Sequence, residues 1–334
     1  MPEQHKTKDI PEEALKLSQL SQIVKINKPT LHARIKAAIP EAELYKNLGK
    51  QIFLFPTQVK KILADKFSYA KGKIIVVGNL KGGVGKTTIA YLLSNILRLL
   101  GMKVCIIDTD IQSNLTTQFL PPDSHRAVFH DLVEGTKTIQ EVIVPISEYL
   151  HIIPSSLKNS LIPKTLAYQS AKNHHIWLND LCLTYLRNTY DIVIVDTPPS
   201  LTTLNSVFSL CLDKNDHIVI PVCAEDFSVV GVQMFLDDIL EIKKAYRISL
   251  DTRVSIIMNR FFQTQRNNLE MLVKMSNIYR DMLSEVVIKD SAKIREIINS
   301  KMSFHQIKNG KEVYDILCML LNEINIIKQL EIVT

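Results

Sequence analysis

The chain reads as an α/β protein with a mostly parallel, twisted sheet flanked by helices, preceded by a small, mainly helical module. Three observations predict this. From residue 73 onward, short apolar segments rich in Ile and Val alternate with helical patterns, the sequence sign of parallel strands covered on both faces. The first such segment, Lys73 to Gly78, runs into a glycine-dense loop that opens a helical pattern from Ile89 to Leu100. The charge is also uneven: residues 1–72 hold 13 Lys/Arg against 7 Asp/Glu, whereas residues 73–334 hold 27 of each.

A chain of 334 residues, 46% hydrophobic and 22% charged, is long enough for one large core plus a small one, and its composition excludes wholesale disorder. The longest apolar runs break well before 18 residues and the first nine residues are polar. Neither a membrane span nor a secretory leader is expected, which points to the cytoplasm. The five cysteines (105, 182, 211, 223, 318) are scattered, with no C-x-x-C pair, and are expected to be reduced core residues rather than disulfides or cluster ligands.

In chain order, Pro11 to Leu17 reads as a short helix, Ser18 to Lys25 as a second, and a third starts at Pro29 or Thr30 with Leu31, Ile35 and Ile39 on one face. Short helices about a tight turn, with Lys28, Thr30, His32, Arg34 and Lys36 outward, make a helix-turn-helix pattern whose third helix would enter a DNA major groove. Gln51 to Phe55 is a strand candidate and Gln58 to Phe67 a helix, together the wing and last helix of a winged module. A basic module beside a neutral one suggests a polyanionic partner, nucleic acid. The alternative is a dimerisation or linker segment with a solvated basic face. Lys71-Gly72 marks a boundary, dividing the chain into residues 1–72 and 73–334.

Beyond it, strands are expected at Lys73 to Gly78, Lys103 to Asp108, Tyr149 to Ile153, Asp191 to Asp196, His217 to Val222, Arg253 to Asn259 and Glu285 to Ile288. Ligands of such sheets bind at the carboxyl ends of strands. At the first of these ends, Lys81 to Thr88 reads KGGVGKTT. Gly82, Gly83 and Gly85 let backbone N–H groups around Val84 converge on a phosphate at a helix N-terminus. Lys86 would reach the β/γ-phosphates and Thr87 would place its hydroxyl on Mg²⁺, with Thr88 beside it. The usual loop of this kind has Gly where this chain has Leu80, and Lys81 is an additional lysine that needs its own anion. Asp108 and Asp110 follow the second strand and Asp196 ends the fourth, where carboxylates can hold a metal-bound water or orient an attacking one.

K-G-G-V-G-K-T-T resembles the deviant Walker A motif of the ParA/MinD family. Asp108-Thr-Asp110-Ile-Gln-Ser-Asn114 resembles its D-x-D-x-Q-x-N stretch, with Ile111 where Pro is usual, and Tyr190 to Pro199 resembles its Walker B strand. Ile220 to Val222 and Glu225 to Ser228 resemble its segment after the fifth strand. The resemblance implies an ATP- and Mg²⁺-dependent ATPase in which Lys81 reaches across a homodimer to the partner's nucleotide, Asp110 positions the hydrolytic water and Asp108 supports the metal. It also implies that Asn259 recognises adenine, and that lysines and arginines near the C-terminus, Lys293 and Arg295 among them, join a surface that binds DNA without sequence preference. A helix-turn-helix ahead of the ATPase is similar to the larger plasmid-partition ParA proteins, nucleoid-associated partners of a ParB-type protein that also repress their own operon. Two other readings stand beside this one: a nucleotide-regulated repressor, and a chromosome or cell-pole positioning ATPase. A membrane partner fits poorly, because the tail from Leu317 to Val333 lacks a basic face.

Overall fold

The computed structural model describes residues 13–46, 51–66, 71–168, 174–200, 202–224, 228–249, 251–301, 304–307 and 310–326. In order these form β1 (Leu15–Lys16), α1 (Leu17–Val24), α2 (Lys28–Ala38), β2 (Tyr45–Lys46), β3 (Ile52–Leu54) and α3 (Pro56–Ile62). There follow β4 (Lys73–Val77), α4 (Lys86–Leu99), β5 (Val104–Asp108), α5 (Asn114–Phe119), α6 (Phe129–Glu134), α7 (Ile139–Val142), β6 (Val144–Pro145) and β7 (Leu150–Ile153). The remainder is α8 (Ile162–Tyr168), α9 (His174–Leu178), α10 (Thr184–Thr189), β8 (Ile192–Asp196), α11 (Thr203–Leu210), β9 (His217–Val222), α12 (Ser228–Ala245), β10 (Arg253–Phe261), α13 (Arg266–Ile278), β11 (Leu283–Lys289), α14 (Ala292–Ser300) and α15 (Lys311–Glu323). Contacts group these into two units, one of residues 1–69, 95–102 and 292–334, the other of residues 70–94 and 103–291.

In the first unit, α1 ends on Lys25 in the left-handed region, and the turn closes at Asn27, whose side chain caps α2 by accepting from the Thr30 N–H at 2.8 Å. Leu31, Ile35 and Ile39 are buried, as their spacing requires. Strands β1, β3 and β2 form a small antiparallel sheet in that order. The helix expected at Pro11 to Leu17 is therefore not formed over its described part: Leu15 pairs with Leu54 and Lys16 with Phe53. A two-residue strand carries no periodicity of its own, and its partner lies almost forty residues away. The C-terminal helices belong to the same unit. The buried Gln19 amide donates to the Phe304 carbonyl at 2.8 Å and to the Tyr314 hydroxyl at 2.7 Å, and Lys25 pairs with Asp315. Helices α14 and α15 thus group with the N-terminal segment, an association that nothing in the local pattern announces.

The second unit is built on an eight-stranded sheet of order β11-β10-β9-β4-β8-β5-β7-β6, parallel except for the edge strand β6. All seven expected strands are present. Each residue of β4, β5, β8 and β9 is buried, which explains why these segments read as continuous apolar runs rather than alternating ones. Order reverses around β4, so the glycine loop leaves the middle of the sheet with β8 and β9 on either side. The polar segment Gln263 to Asn268 enters α13 at Arg266, with the Asn268 side chain accepting from the Phe262 N–H at 2.9 Å. The five cysteines are free and buried. Among the described residues no helix is long and apolar enough to cross a membrane. Glu225 to Phe227 and the tail beyond residue 326 lie outside the described residues.

At the opposite end of the sheet His217 is fully buried, its Nε2 2.7 Å from Ser255 Oγ. Burial, then the charges of Lys73 and Arg253, push its pKa down to about 3. An unfolded histidine titrates near 6.5, so the unfolded chain takes up this proton first as pH falls. The contribution of neutral His217 is complete above pH 6.5 and declines toward pH 3, by roughly 2–3 kcal/mol at pH 4.5. Urea unfolding at pH 7 and 4.5 is expected to show a smaller acid loss in His217→Gln than in the parent; equal losses would show that His217 does not titrate this way.

Candidate nucleotide site

The loop after β4 is held from both sides. Asn79 donates through Nδ2 to the Pro221 carbonyl at 2.7 Å and accepts the Lys81 N–H at 3.0 Å. At the loop's far end Asn259 donates to the Val84 carbonyl at 2.7 Å. Gly85 sits at φ +95°, and a Cβ there would come within 2.1 Å of Asn259 Nδ2, so this position needs glycine for both its backbone and its space. Helix α4 begins at Lys86, earlier than its apolar periodicity suggests, which brings the free N–H groups of its first turn to the loop.

Lys86 is buried and its ammonium donates to the Lys81 carbonyl at 3.0 Å. Burial lowers its pKa, opposed by the charges of Asp196 and Asp110. Thr87 donates its hydroxyl to Asp196 Oδ2 at 2.8 Å. Among the described residues the other Asp196 oxygen, which is buried, has no hydrogen-bond partner, and burial followed by the charge of Asp108 raises the Asp196 pKa well above the carboxylate range. An unsatisfied buried oxygen beside a like charge is unfavourable unless a cation completes it, so the residues present fit a hard divalent ion. Asp108 differs. Its Oδ2 accepts from the Thr116 N–H (2.8 Å) and hydroxyl (2.7 Å), and its Oδ1 from the Asp110 N–H (3.1 Å), so its lone pairs are largely engaged within the protein. Burial raises its pKa to about 6.

The structure brings Lys81, Gly82, Gly83, Val84, Gly85, Lys86, Thr87, Asn259 and the three aspartates into this one region, with Thr88 in the first turn of α4. Asn259, expected at the adenine, has its amide turned onto the loop carbonyl. Lys28, Thr30, His32 and Lys36 are exposed on α2. Arg34 is not on that outer face: its guanidinium grips Asp65 with two hydrogen bonds (2.6 and 2.9 Å) and the Ile62 carbonyl at 2.9 Å, fastening α2 to the end of α3. On α14, Lys293 is paired with Glu296 at 2.5 Å, and Arg295 is exposed. Three residues that sequence reasoning passed over are Asn79, Thr116 and Ser155. A polar side chain at the exit of an apolar strand could have flagged Asn79; the other two are defined only by their partners.

A glycine-rich loop leading from a central parallel strand into a helix, with Lys-Thr at the helix start and an aspartate ending the adjacent strand, defines a P-loop nucleoside triphosphatase. The family model described as an AAA domain (AAA_31) matches residues 72–252. The chain belongs to this family, and within it to the ParA/Soj-type partition ATPases. It is 26% identical over 230 residues to the sporulation initiation inhibitor protein Soj of Bacillus subtilis, covering 67% of this chain and 87% of that one. With the chromosome partitioning protein ParA of Myxococcus xanthus it shares 26% over 230 residues, 67% of this chain and 78% of the relative. Among solved structures, a putative plasmid partition protein from Borrelia burgdorferi bound to AMPPNP has the same fold, with a TM-score of 0.60 at 24% identity over 75% of this chain and 99% of that one.

Proposed function

We propose that this protein is a Mg²⁺-dependent DNA-partition ATPase that dimerises on ATP, binds duplex DNA without sequence preference and is released when a ParB-type partner stimulates hydrolysis. One observation carries this reading: a single glycine loop bears two lysines with different settings. Lys86 is buried and rooted in the loop, whereas Lys81 is partly exposed beside exposed Gly82 and Gly83, a setting that suits contact with a second nucleotide-bearing chain. When bound, Mg²⁺ neutralises charge on the β- and γ-phosphates. Thr87 and the unpaired oxygen of Asp196 would hold it, with Asp108 supporting from its hydrogen-bonded position. Lys86 binds the β/γ-phosphates, and Asp110 orients the attacking water. Contacts to the γ-phosphate favour one quaternary state, and hydrolysis removes that preference.

The basic first unit supports a second role, repression of its own operon. Helix α2 is capped by Asn27 and carries Lys28, Thr30, His32 and Lys36 outward, the placement a recognition helix requires. A helical module ahead of the ATPase, as in the larger plasmid-partition proteins, favours a plasmid over a chromosome as the cargo.

Light scattering with ATP and with ADP, together with binding to random and operator duplexes at two salt concentrations, tests both roles. We expect ATP-dependent dimers, lost in Lys81→Ala while nucleotide binding persists, and random-duplex binding that falls steeply with salt. A monomer at saturating ATP would remove the role given to Lys81. Footprinting without a protected site in either nucleotide would remove the repressor role.

A further inference from the structure

The loop after β5 carries Asp110, and the bonds to its main chain fix where that residue sits. Within the loop, the Asp110 carbonyl accepts from the Ser113 N–H at 2.9 Å, and its carboxylate accepts from the Gln112 N–H at 3.0 Å. Both bonds are local and would move with the loop. Thr109, just before Asp110, is tied to the Asp196 carbonyl at the end of β8 through its N–H at 3.0 Å and its hydroxyl at 2.8 Å. The bond that reaches the Asp110 main chain itself from another strand comes from Ser155, two residues beyond the end of β7, the strand next to β5. Its hydroxyl donates to the Asp110 carbonyl at 2.5 Å. The same oxygen accepts from Asn159 Nδ2 at 2.8 Å, and the Ser155 N–H donates to Thr116 Oγ1 at 2.9 Å. Thr116 in turn donates to Asp108, and Asn159 Oδ1 accepts from the His130 N–H at 3.1 Å. Ser155, Asn159, Thr116, Asp108 and Asp110 are all less than a tenth exposed, so water cannot readily replace these bonds.

We propose that Ser155 is a positioning residue for hydrolysis: held by Asn159, it fixes the main chain of the Asp110 loop, and through Thr116 it ties Asp108 to the same anchor. Resting on the ATPase function above, the proposal assigns Ser155 no contact with nucleotide, metal or reacting atoms. Its hydroxyl has a single proton, and Asn159 supplies a donor to its lone pair, so the proton is left for Asp110. Asn159→Asp keeps the volume and turns that donor into an acceptor. The Ser155 proton is then drawn toward residue 159 and away from the Asp110 carbonyl.

The test is steady-state ATP hydrolysis by the full chain with Ser155→Ala and Asn159→Asp, alongside binding of a fluorescent non-hydrolysable ATP analogue. A displaced loop is expected to lower kcat about 10- to 100-fold in both variants, with KM for ATP and analogue affinity within twofold of the parent. Thermal melts monitored by circular dichroism show whether each variant is folded at the assay temperature. Where Ser155→Ala is not, Ser155→Cys, whose sulfur is larger but which keeps a weak donor, is assayed instead. A folded variant whose kcat stays within twofold of the parent overturns the positioning role, as does equal loss of kcat and analogue affinity. A parent that hydrolyses no ATP fails the ATPase reading itself, a different result.

Discussion

Replacing Lys86 with alanine is expected to lower ATP turnover at least about 100-fold while leaving the fold intact. Transfer of a phosphoryl group offers little covalent chemistry for a protein to perform, so the rate depends on fixed charges placed where negative charge develops, and loss of one such donor typically costs 10²–10³ in rate. Lys86, buried at the start of α4 and held by the Lys81 carbonyl, is the charge proposed for this role. The substitution removes a lysine from a helix N-terminus, where alanine is tolerated and a cation is unfavourable. Malachite-green release of phosphate and a parallel thermal melt check the two parts. Turnover within tenfold of the parent would mean that the loop does not bind the transferring phosphate in the assigned way. Because ATP drives the proposed DNA-binding state, the same variant should also lose ATP-dependent binding to random duplex; unchanged binding would sink the partition mechanism.

A second large effect is expected far from the loop's chemistry, at the amino ends of the strands. Asp216 is fully buried in its side chain, and its carboxylate is bridged by Arg187 at 2.9 and 2.5 Å. The same carboxylate accepts from the Ile74 N–H at 2.7 Å and the Asp213 N–H at 2.8 Å, while Arg187 also donates to the Gly72 and Cys211 carbonyls at 2.8 and 3.2 Å. The pair thus joins the entrances of β4 and β9 to α10. Arg187→Ala would leave a buried anion with backbone donors alone, a change that costs roughly 3–5 kcal/mol. The double variant Arg187→Met with Asp216→Leu removes both charges and should recover part of this loss. Urea midpoints for the parent and these variants give the comparison, and a loss under about 1 kcal/mol for Arg187→Ala would show that the site relaxes or admits water.

Much of the second unit was legible in the sequence. Buried parallel strands announce themselves as runs such as Ile74 to Val77 and Ile192 to Val195, and the glycine loop between strand and helix restricts the chemistry to phosphate binding. The aspartates at strand ends could be found because a parallel sheet delivers successive carboxyl ends to one edge. Legibility failed where a residue's role depends on a remote partner. Arg34 looks from its spacing like one more cation on a polar face, and only Asp65, 31 residues on, draws it away. Leu15 and Lys16 became a strand because Phe53 and Leu54 were there to pair with.

By itself, then, the amino-acid sequence determined the order of strands and helices, the phosphate loop and its surplus lysine, and the chemical types available at the strand ends. Tertiary structure alone decided which aspartate oxygen is left unpaired, that Asn259 closes onto Val84, that Ser155 reaches Asp110, and that the C-terminal helices share a unit with the N-terminal ones. The physical reason is range. Periodicity and glycine content act over a few residues and are written locally, whereas hydrogen-bond satisfaction and burial depend on groups brought together from distant parts of the chain.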